Sequence, residues 1–376
     1  MGDGDRRRRR QQAGQGPRQD GEAAVRGHRG QARGRRRGRQ EAGRAEKVAG
    51  VVGEYHSSAA LAAIPVYTQH DTPFVVVDAY ADTITGGDPK DPKLPARPSS
   101  VFRIAPTTSY DVQLTADWLV EGRKVHDVVQ VYEATDFGKG QAESMKTLLA
   151  AKGVKLSQVQ IELNQPDYKS ILGRVKQEHP DADAVVFSVT GETSYAVEAN
   201  AFAVGLLGVG KLCVANQAAQ DDKAFWRAVP DGAGCVFRVA GLMPSQYSQA
   251  ASSLAERYGQ KFSGATPKAW VFESYDAVRL LVDAINRAGR ADSAAIVKAL
   301  EQTSYQGVQG RYEFPYGSAN AVPADQPGWL WHQWPKPAIQ LAEYTAKNQA
   351  LKDASVVWPP DRQSKPGTAF ITPAAG

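Results

Sequence analysis

The chain has two cysteines, three methionines and six histidines in 376 residues, and no two histidines stand at an HExxH or other paired-ligand spacing. Two cysteines make neither a disulfide framework nor a four-cysteine zinc site. Without paired histidines, no metal centre is expected. Cys213 and Cys235 both fall in expected strands; two buried free thiols are the simpler reading and a bond between them the alternative. No serine occupies a GxSxG elbow, so hydrolysis by an activated serine has no organised nucleophile. No run of about 18 apolar residues occurs, which excludes the simplest membrane-spanning helix.

Residues 1–46 lack Leu, Ile, Phe, Trp and Tyr altogether, while carrying 14 Arg against 6 Asp plus Glu. A segment with nothing to bury cannot offset the entropy of ordering, so this Arg/Gly-rich stretch is expected to be disordered and to belong to no domain. It reads as a basic nucleic-acid-binding arm without stacking aromatics, as a solvated tail, or as GC-rich DNA translated in a wrong frame or from a wrong start. No apolar stretch follows Arg10, so no export signal is legible, and any such signal is expected upstream. The remaining residues hold 31 basic and 34 acidic side chains. The formal charge of +5 is therefore no property of the body, and no nucleic-acid partner is expected.

From Val48 onward, short β-branched runs alternate with amphipathic stretches, the pattern of a parallel sheet covered on both faces. Strands are expected at Val48–Gly53, Phe74–Val77, Val101–Ile104, Val128–Tyr132, Val159–Leu163, Ala184–Val189, Leu212–Ala215 and Cys235–Val239. Helices are expected at Ser57–His70, through Leu114, Trp118 and Leu119, and after Gly140 up to a C-cap at Gly153. After Pro244 the rhythm turns helical, with Gln246–Phe262, Val271–Ala288 and Ser293–Gln302, before Trp- and Pro-rich strands and loops close the chain.

Gly205–Leu212 (GLLGVGKL) has the spacing of a phosphate-binding loop, but Leu stands where Ser or Thr would hold magnesium, and the run closes a helix instead of opening one. It reads as a helix-terminating turn. FGKG (Phe137–Gly140) does lie in a strand-to-helix turn, where α/β sheets bind ligands, yet it lacks the third glycine of a dinucleotide fingerprint. Asp181 and Asp183 bracket a strand start and read as caps. Trp329, Trp331 and Trp334 read as packing for the Pro-rich terminus.

The segments VVGEYHSSAALAAIPVY, PFVVVDAYADTIT, VFRIAPTTSYD, YEATDFGKG, HPDADAVVF and SYDAVRLLVDAINRAG, with the closing PAIQLAEYT and VVWPP, resemble the leucine/isoleucine/valine-binding protein family in order from about Val48 to Pro359. The resemblance implies an α/β chain of two doubly wound lobes, the type I periplasmic binding protein fold, joined by three crossings and closing on a ligand like a hinged trap. It implies lobe one over residues 47–123 and 245–312, and lobe two over 124–244 and 313–376. The family begins with strand units that the Arg-rich segment replaces here, so the first lobe is expected to be incomplete at its N-terminus.

By the same resemblance, Ser57 and Ser58 match the helix start that holds a ligand carboxylate. Ala79 and Tyr80 fall in the next ligand loop, where Tyr80 departs from the family's small residues. Phe137 and Tyr195 match cleft aromatics, and Tyr275 matches the aromatic that closes the pocket. Gln217 stands where the family has an acid for the ligand ammonium; a neutral amide there points away from a branched-chain amino acid and towards an amide, carboxylate or aromatic acid. The expectation is a non-enzymatic, cofactor-free binding component of an ABC importer, extracytoplasmic, partnered by a membrane permease and ATPase. A ligand sensor of the same fold is the alternative, and an α/β enzyme the more distant one.

Overall fold

The computed structural model describes residues 48–364, apart from Val209 and Lys336. The Arg/Gly-rich segment lies outside the described residues. The described chain folds into two α/β lobes, each built on its own sheet.

Lobe one has a parallel sheet of three strands in the order β1 (Val51–Val52), β2 (Phe74–Val76), β3 (Val101–Arg103). Helix α1 (Ser57–Gln69) covers one face through Ala60, Leu61, Ile64 and Tyr67. A short helix, α2 (Thr83–Gly86), follows β2. The chain then enters lobe two through α3 (Thr108–Asp117) and a wider turn at Trp118–Gly122.

Lobe two is built on β4 (Asp127–Glu133), β5 (Lys155–Ile161), β6 (Ala184–Ser188), β7 (Leu212–Ala215) and β8 (Cys235–Ala240), all parallel. Helices α4 (Asp136–Ala151), α5 (Lys169–Glu178), α6 (Gly191–Ala203) and α7 (Asp222–Ala228) connect them. Every residue of β6 is buried, as expected of a strand covered on both faces. Helix α4 shows how local sequence sets an element. Thr135 caps its start, accepting a hydrogen bond from the Gly138 amide, Met145 and Leu149 bury one stripe, and Gly153 follows in the left-handed region at φ 71°.

The chain returns to lobe one through α8 (Gln249–Lys261), α9 (Ala269–Ala288), α10 (Ser293–Glu301) and the hairpin β9 (Ser304–Gln306)–β10 (Arg311–Glu313). It crosses once more to add β11 (Ile339–Glu343) and β12 (Ser355–Trp358), both antiparallel, at the β8 edge. The larger sheet therefore runs β12-β11-β8-β7-β6-β4-β5. Its order reverses beside β4, where β5 lies on one side and β6 on the other.

Two segments pack across the expected lobe boundaries. Val112, Ala116 and Leu119 lie with Val128, Leu149 and Leu341 on the larger sheet, so α3 packs on lobe two although residues 47–123 were assigned to lobe one. Phe314 and Trp334 join Val75, Phe102 and Leu280 in the lobe-one core, although 313–376 were assigned to lobe two. In both cases the apolar face of the segment determines where it goes, and the position in sequence does not.

The cysteines correct an expectation. Cys213 and Cys235 form a disulfide, not two free thiols. They stand directly opposite one another on the paired strands β7 and β8, with Cα atoms 4.6 Å apart, which is within bonding reach. The helix expected after Gly140 starts at Asp136, so that FGKG lies in its first turn, and the strand expected at Val159–Leu163 runs over Lys155–Ile161. The readings of the GKL run, Asp183, Trp331 and Trp334 as structural agree with the contacts found. Lys211 of the GKL run donates to the carbonyls of His179 and Pro180, at 3.2 and 2.7 Å. Asp183 caps the amides of His126 and Asp127, at 2.8 and 2.9 Å. Trp331 and Trp334 are buried, their indoles donating to Pro98 and Arg311 carbonyls.

Candidate functional site

The lobes meet where the C-terminal end of β2 faces the C-terminal ends of β4, β6, β7 and β8. In a doubly wound sheet, the crevice for ligands opens beside the strand at which the order reverses, here β4. The strand ends carry polar residues into this junction. After β2 the chain turns at Asp78, whose φ of 52° is left-handed, a region that Asp tolerates better than most side chains. Ser57, at the start of α1, fixes the loop that follows, its hydroxyl accepting from the amides of Tyr80 (3.2 Å) and Ala81 (3.1 Å).

Gln217 reaches this loop from lobe two. Its amide nitrogen donates to both Asp78 oxygens, at 3.2 and 3.0 Å. The Tyr80 hydroxyl lies 3.1 Å from Asp78 Oδ1 and 3.0 Å from Gln217 Oε1, so its one proton serves either. All three side chains are buried. Gln217 is held by a tight turn over Gln217–Gln220 that Asn216 caps. Tyr195 and Tyr344 pin that turn from behind, donating to the Ala218 and Ala219 carbonyls at 2.6 and 2.7 Å.

Arg238 projects from β8 and pairs with Asp111 of α3, which also accepts from Gln141 at 2.6 Å. The guanidinium carbon stands 5.5 Å from the ring centroids of both Tyr80 and Phe137, within cation–π range. Tyr80, Phe137, Ala105 and Ala240 form a small apolar cluster beneath it. At the switch point itself, Glu133 ends β4 and turns its carboxylate onto the entrance of α6, accepting from the Thr190 amide (2.6 Å) and hydroxyl (2.8 Å). The start of α4 passes so close to this strand end that a Cβ on Gly138 would lie 2.0 Å from the Glu133 carbonyl oxygen. That close approach is what the FGKG run supplies.

Acidic groups outnumber basic ones at the junction. Asp78, Asp111, Glu133 and Glu273 are all buried, against Arg238 and, on the carbonyls of the Tyr80–Ala81 loop, Arg103. Burial pushes the Asp78 carboxyl up to about 7, with the Gln217 and Tyr80 hydrogen bonds and the Arg238 charge pulling the other way. Glu273, on α9, is pushed well above the usual carboxyl range by burial and by the neighbouring charge of Asp78. Burial opposes the charge of Arg238, yet the surrounding Asp111, Tyr80, Tyr55 and Asp78 hold its proton more tightly than usual.

The structure thus brings Ser57, Ala79, Tyr80, Phe137 and Gln217 together. Ser58 sits at the rim, where its hydroxyl accepts from the Asp136 amide of lobe two at 3.2 Å. It opens onto a groove of about 960 Å³ between the lobes that Asp82, Ser109 and Lys139 also line. Tyr195 lies behind the junction in the lobe-two core. Tyr275 is not brought in: it lines a separate depression with Leu242 and Tyr305, under the Arg257 guanidinium. Sequence reasoning missed Asp78, Asp111, Glu133, Arg238, Glu273 and Tyr55. The available signals were an acid closing an apolar strand (VVVD) and an arginine inside one (CVFRVA). Among the described residues, no group of three or more His, Cys, Asp and Glu is placed to hold a metal, and no helix is long and apolar enough to cross a membrane.

Comparison with known proteins gives this junction its context. The model of the periplasmic binding protein family matches residues 25–327. A search of curated proteins returned no match. Among solved structures, the leucine-binding protein LivK of Thermotoga maritima superposes with a TM-score of 0.71 at 18% identity, covering 88% of this chain and 85% of its own. LivJ of Streptococcus pneumoniae, solved with isoleucine, gives 0.68 at 20% identity over 88% and 85%. A solute-binding protein of an ABC transporter from Rhodopseudomonas palustris, solved with 3,4-dihydroxybenzoic acid, gives 0.66 at 19% identity over 83% and 78%. The two-lobed architecture is the type I periplasmic binding protein fold that the sequence resemblance implied. The chain belongs to the periplasmic binding protein family.

Proposed function

We propose that this protein is the substrate-binding component of an ABC importer, taking an amino acid or a related small polar ligand in the cleft between its lobes and closing on it by a hinge. The reading is carried by the hydrogen bonds from Gln217 of lobe two to both oxygens of Asp78 of lobe one, buried at the junction. On this reading, a contact of that kind, between two separately folded sheets, belongs to the closed arrangement. A ligand touching both walls then shifts the open–closed balance by its differential affinity. No side chain at the junction has to form or break a covalent bond.

The partners on this reading are a membrane permease and its ATPase, which receive the closed form. The working compartment is extracytoplasmic, and the Cys213–Cys235 bond suits an oxidising one. The test is a thermal-shift screen against amino acids, short amides and aromatic carboxylates, with small-angle scattering on every hit. A ligand at 100 times its dissociation constant is expected to stabilise the protein by about 2.7 kcal/mol and to reduce its radius of gyration. A bound ligand that leaves the radius unchanged overturns the hinged clamp.

A further inference from the structure

We infer that lobe one carries a second binding site, for a neutral hydroxylated aromatic molecule of one or two rings, in a cavity at the end of its sheet opposite the cleft. The site lies wholly within lobe one, so it stands whether or not the lobes close as a clamp.

The cavity measures about 730 Å³, within the range of about 300–1,000 Å³ typical of small-molecule sites. It opens between α10 and the loop after β10, beside the turns that lead into β2 and β3. Phe314 and Trp331 form part of its wall, with Val297 of α10. Both rings are buried and fixed. Phe314 packs on Phe102 with centroids 5.0 Å apart, and Trp331 donates its indole N–H to the Pro98 carbonyl at 3.1 Å. A wall of fixed rings takes an aromatic guest without first having to order itself. One polar group in the wall lacks a partner. Ser100 is 2% exposed, its carbonyl accepts the Phe74 amide at 2.8 Å, and its hydroxyl makes no hydrogen bond among the described residues. A buried hydroxyl left in this way is costly, and a guest hydroxyl, which both donates and accepts, satisfies it.

The charges around the cavity are settled without a guest. Glu301 accepts from the Ser318 amide at 2.6 Å and from the Ser318 hydroxyl, and pairs with His332 Nε2 at 2.9 Å. Burial opposes its charge, yet these contacts hold its carboxyl below the ordinary value. Asp292 caps α10, accepting from the Ala295 amide at 2.9 Å. Asp71 and Lys298, which also line the cavity, are both exposed and opposite in sign. A cation finds no unpaired buried acid here, and an anion meets Glu301 and Asp292. A neutral guest meets neither penalty.

The experiment is calorimetric titration of the full chain with 2-naphthol and 2-naphthoate at neutral pH, with small-angle scattering alongside. 2-Naphthol is expected to bind at one site without changing the radius of gyration, and the naphthoate to bind more weakly by about tenfold or more. Ser100→Ala removes a hydroxyl with no partner to lose, so the unfolding temperature of the free protein is expected to stay unchanged while 2-naphthol binds about fivefold more weakly. Ala294→Trp, at an exposed position of α10 on the rim of the cavity, is expected to abolish binding in a folded protein. Binding that survives both substitutions, or that compacts the protein and so belongs to the cleft, overturns the site. A fall in unfolding temperature in Ser100→Ala would show a hydroxyl already satisfied within the chain and overturns it too. Equal affinity for the naphthoate overturns the neutral class, and folded protein that does not take up 2-naphthol overturns the inference as a whole.

Discussion

The two lobes share an architecture and are held together in different ways. Lobe two has seven strands, each four to seven residues long, and two continuous apolar clusters, with buried polar groups such as Gln130, Glu198 and Gln340 set among them. Lobe one has a sheet of three strands of two or three residues and a separate hairpin of two three-residue strands among the described residues, and its interior contains Arg103, Asp276, His332 and Gln333, all nearly or fully buried. A short sheet leaves many backbone carbonyls that no strand partner reaches, and side chains must satisfy them. Arg103 does so from the end of β3. Its Nε donates to Gln333 at 2.5 Å, one terminal nitrogen to the Ala81 carbonyl at 2.6 Å, and the other to Thr85 at 3.0 Å. Asp276 serves similarly, accepting from the Val308 and Gln309 amides and the Tyr312 hydroxyl. Lobe two is stabilised chiefly by buried area, lobe one by directional contacts between segments far apart in the chain.

Removing Arg103 is the most direct way to break that contrast. Arg103→Ala leaves Gln333, Thr85 and the Ala81 carbonyl without their donor in a buried site, and is expected to cost about 3–5 kcal/mol. Lobe one should then unfold in a separate, earlier transition under urea, with Trp331 and Trp334 reporting it by fluorescence. A single transition at the wild-type midpoint would show that the network is dispensable. Cys213→Ser together with Cys235→Ser tests the other lobe. Freeing the 22-residue separation is expected to cost about 3 kcal/mol, with only the lobe-two transition moving.

The smallest expected effect sharpens the comparison through pH. Glu198 lies in the lobe-two core behind Asn216, whose amide it accepts at 3.3 Å, and burial pushes its carboxyl up to about 8. Folded protein keeps this proton between about pH 4.5 and 8 while unfolded chain loses it, so its contribution is full below that window and falls as pH rises through it. Glu198→Gln should flatten lobe-two stability across the window, raising it most near pH 8 and least near pH 4.5. An unchanged slope in calorimetry would remove Glu198 from the account.

The β/α alternation was legible because each element carries its own period and caps: β7 and Gly153 fall where the sequence puts them. What depends on distant pairing was not. The cysteines read as separate thiols because nothing within either strand says that β7 and β8 are neighbours in register. Tyr275 was misplaced by a helical phase. Phe272, Glu273 and Asp276 on α9 are buried, and a residue two positions on from Glu273 is rotated by about 200°, away from the cleft. Asp78 and Arg238 were passed over because each sits at the end of, or inside, an apolar run that reads as packing, and only the opposing lobe turns it into a polar cluster. The resemblance supplied Ser57, Tyr80 and Gln217 as neighbours before any geometry was known, but not that they satisfy one another.

The last crossing of the chain also bears on the order in which the molecule can be finished. The Arg103 network waits for His332, Gln333 and Trp334, and the exposed side of β8 waits for β11 and β12. Residues 331–358 thus complete both sheets. While the polypeptide emerges from N- to C-terminus, neither lobe is closed until that final stretch arrives. The nascent protein remains unfinished on both sides until residue 358 has emerged, and a chain stopped near residue 330 would lack an edge in each half.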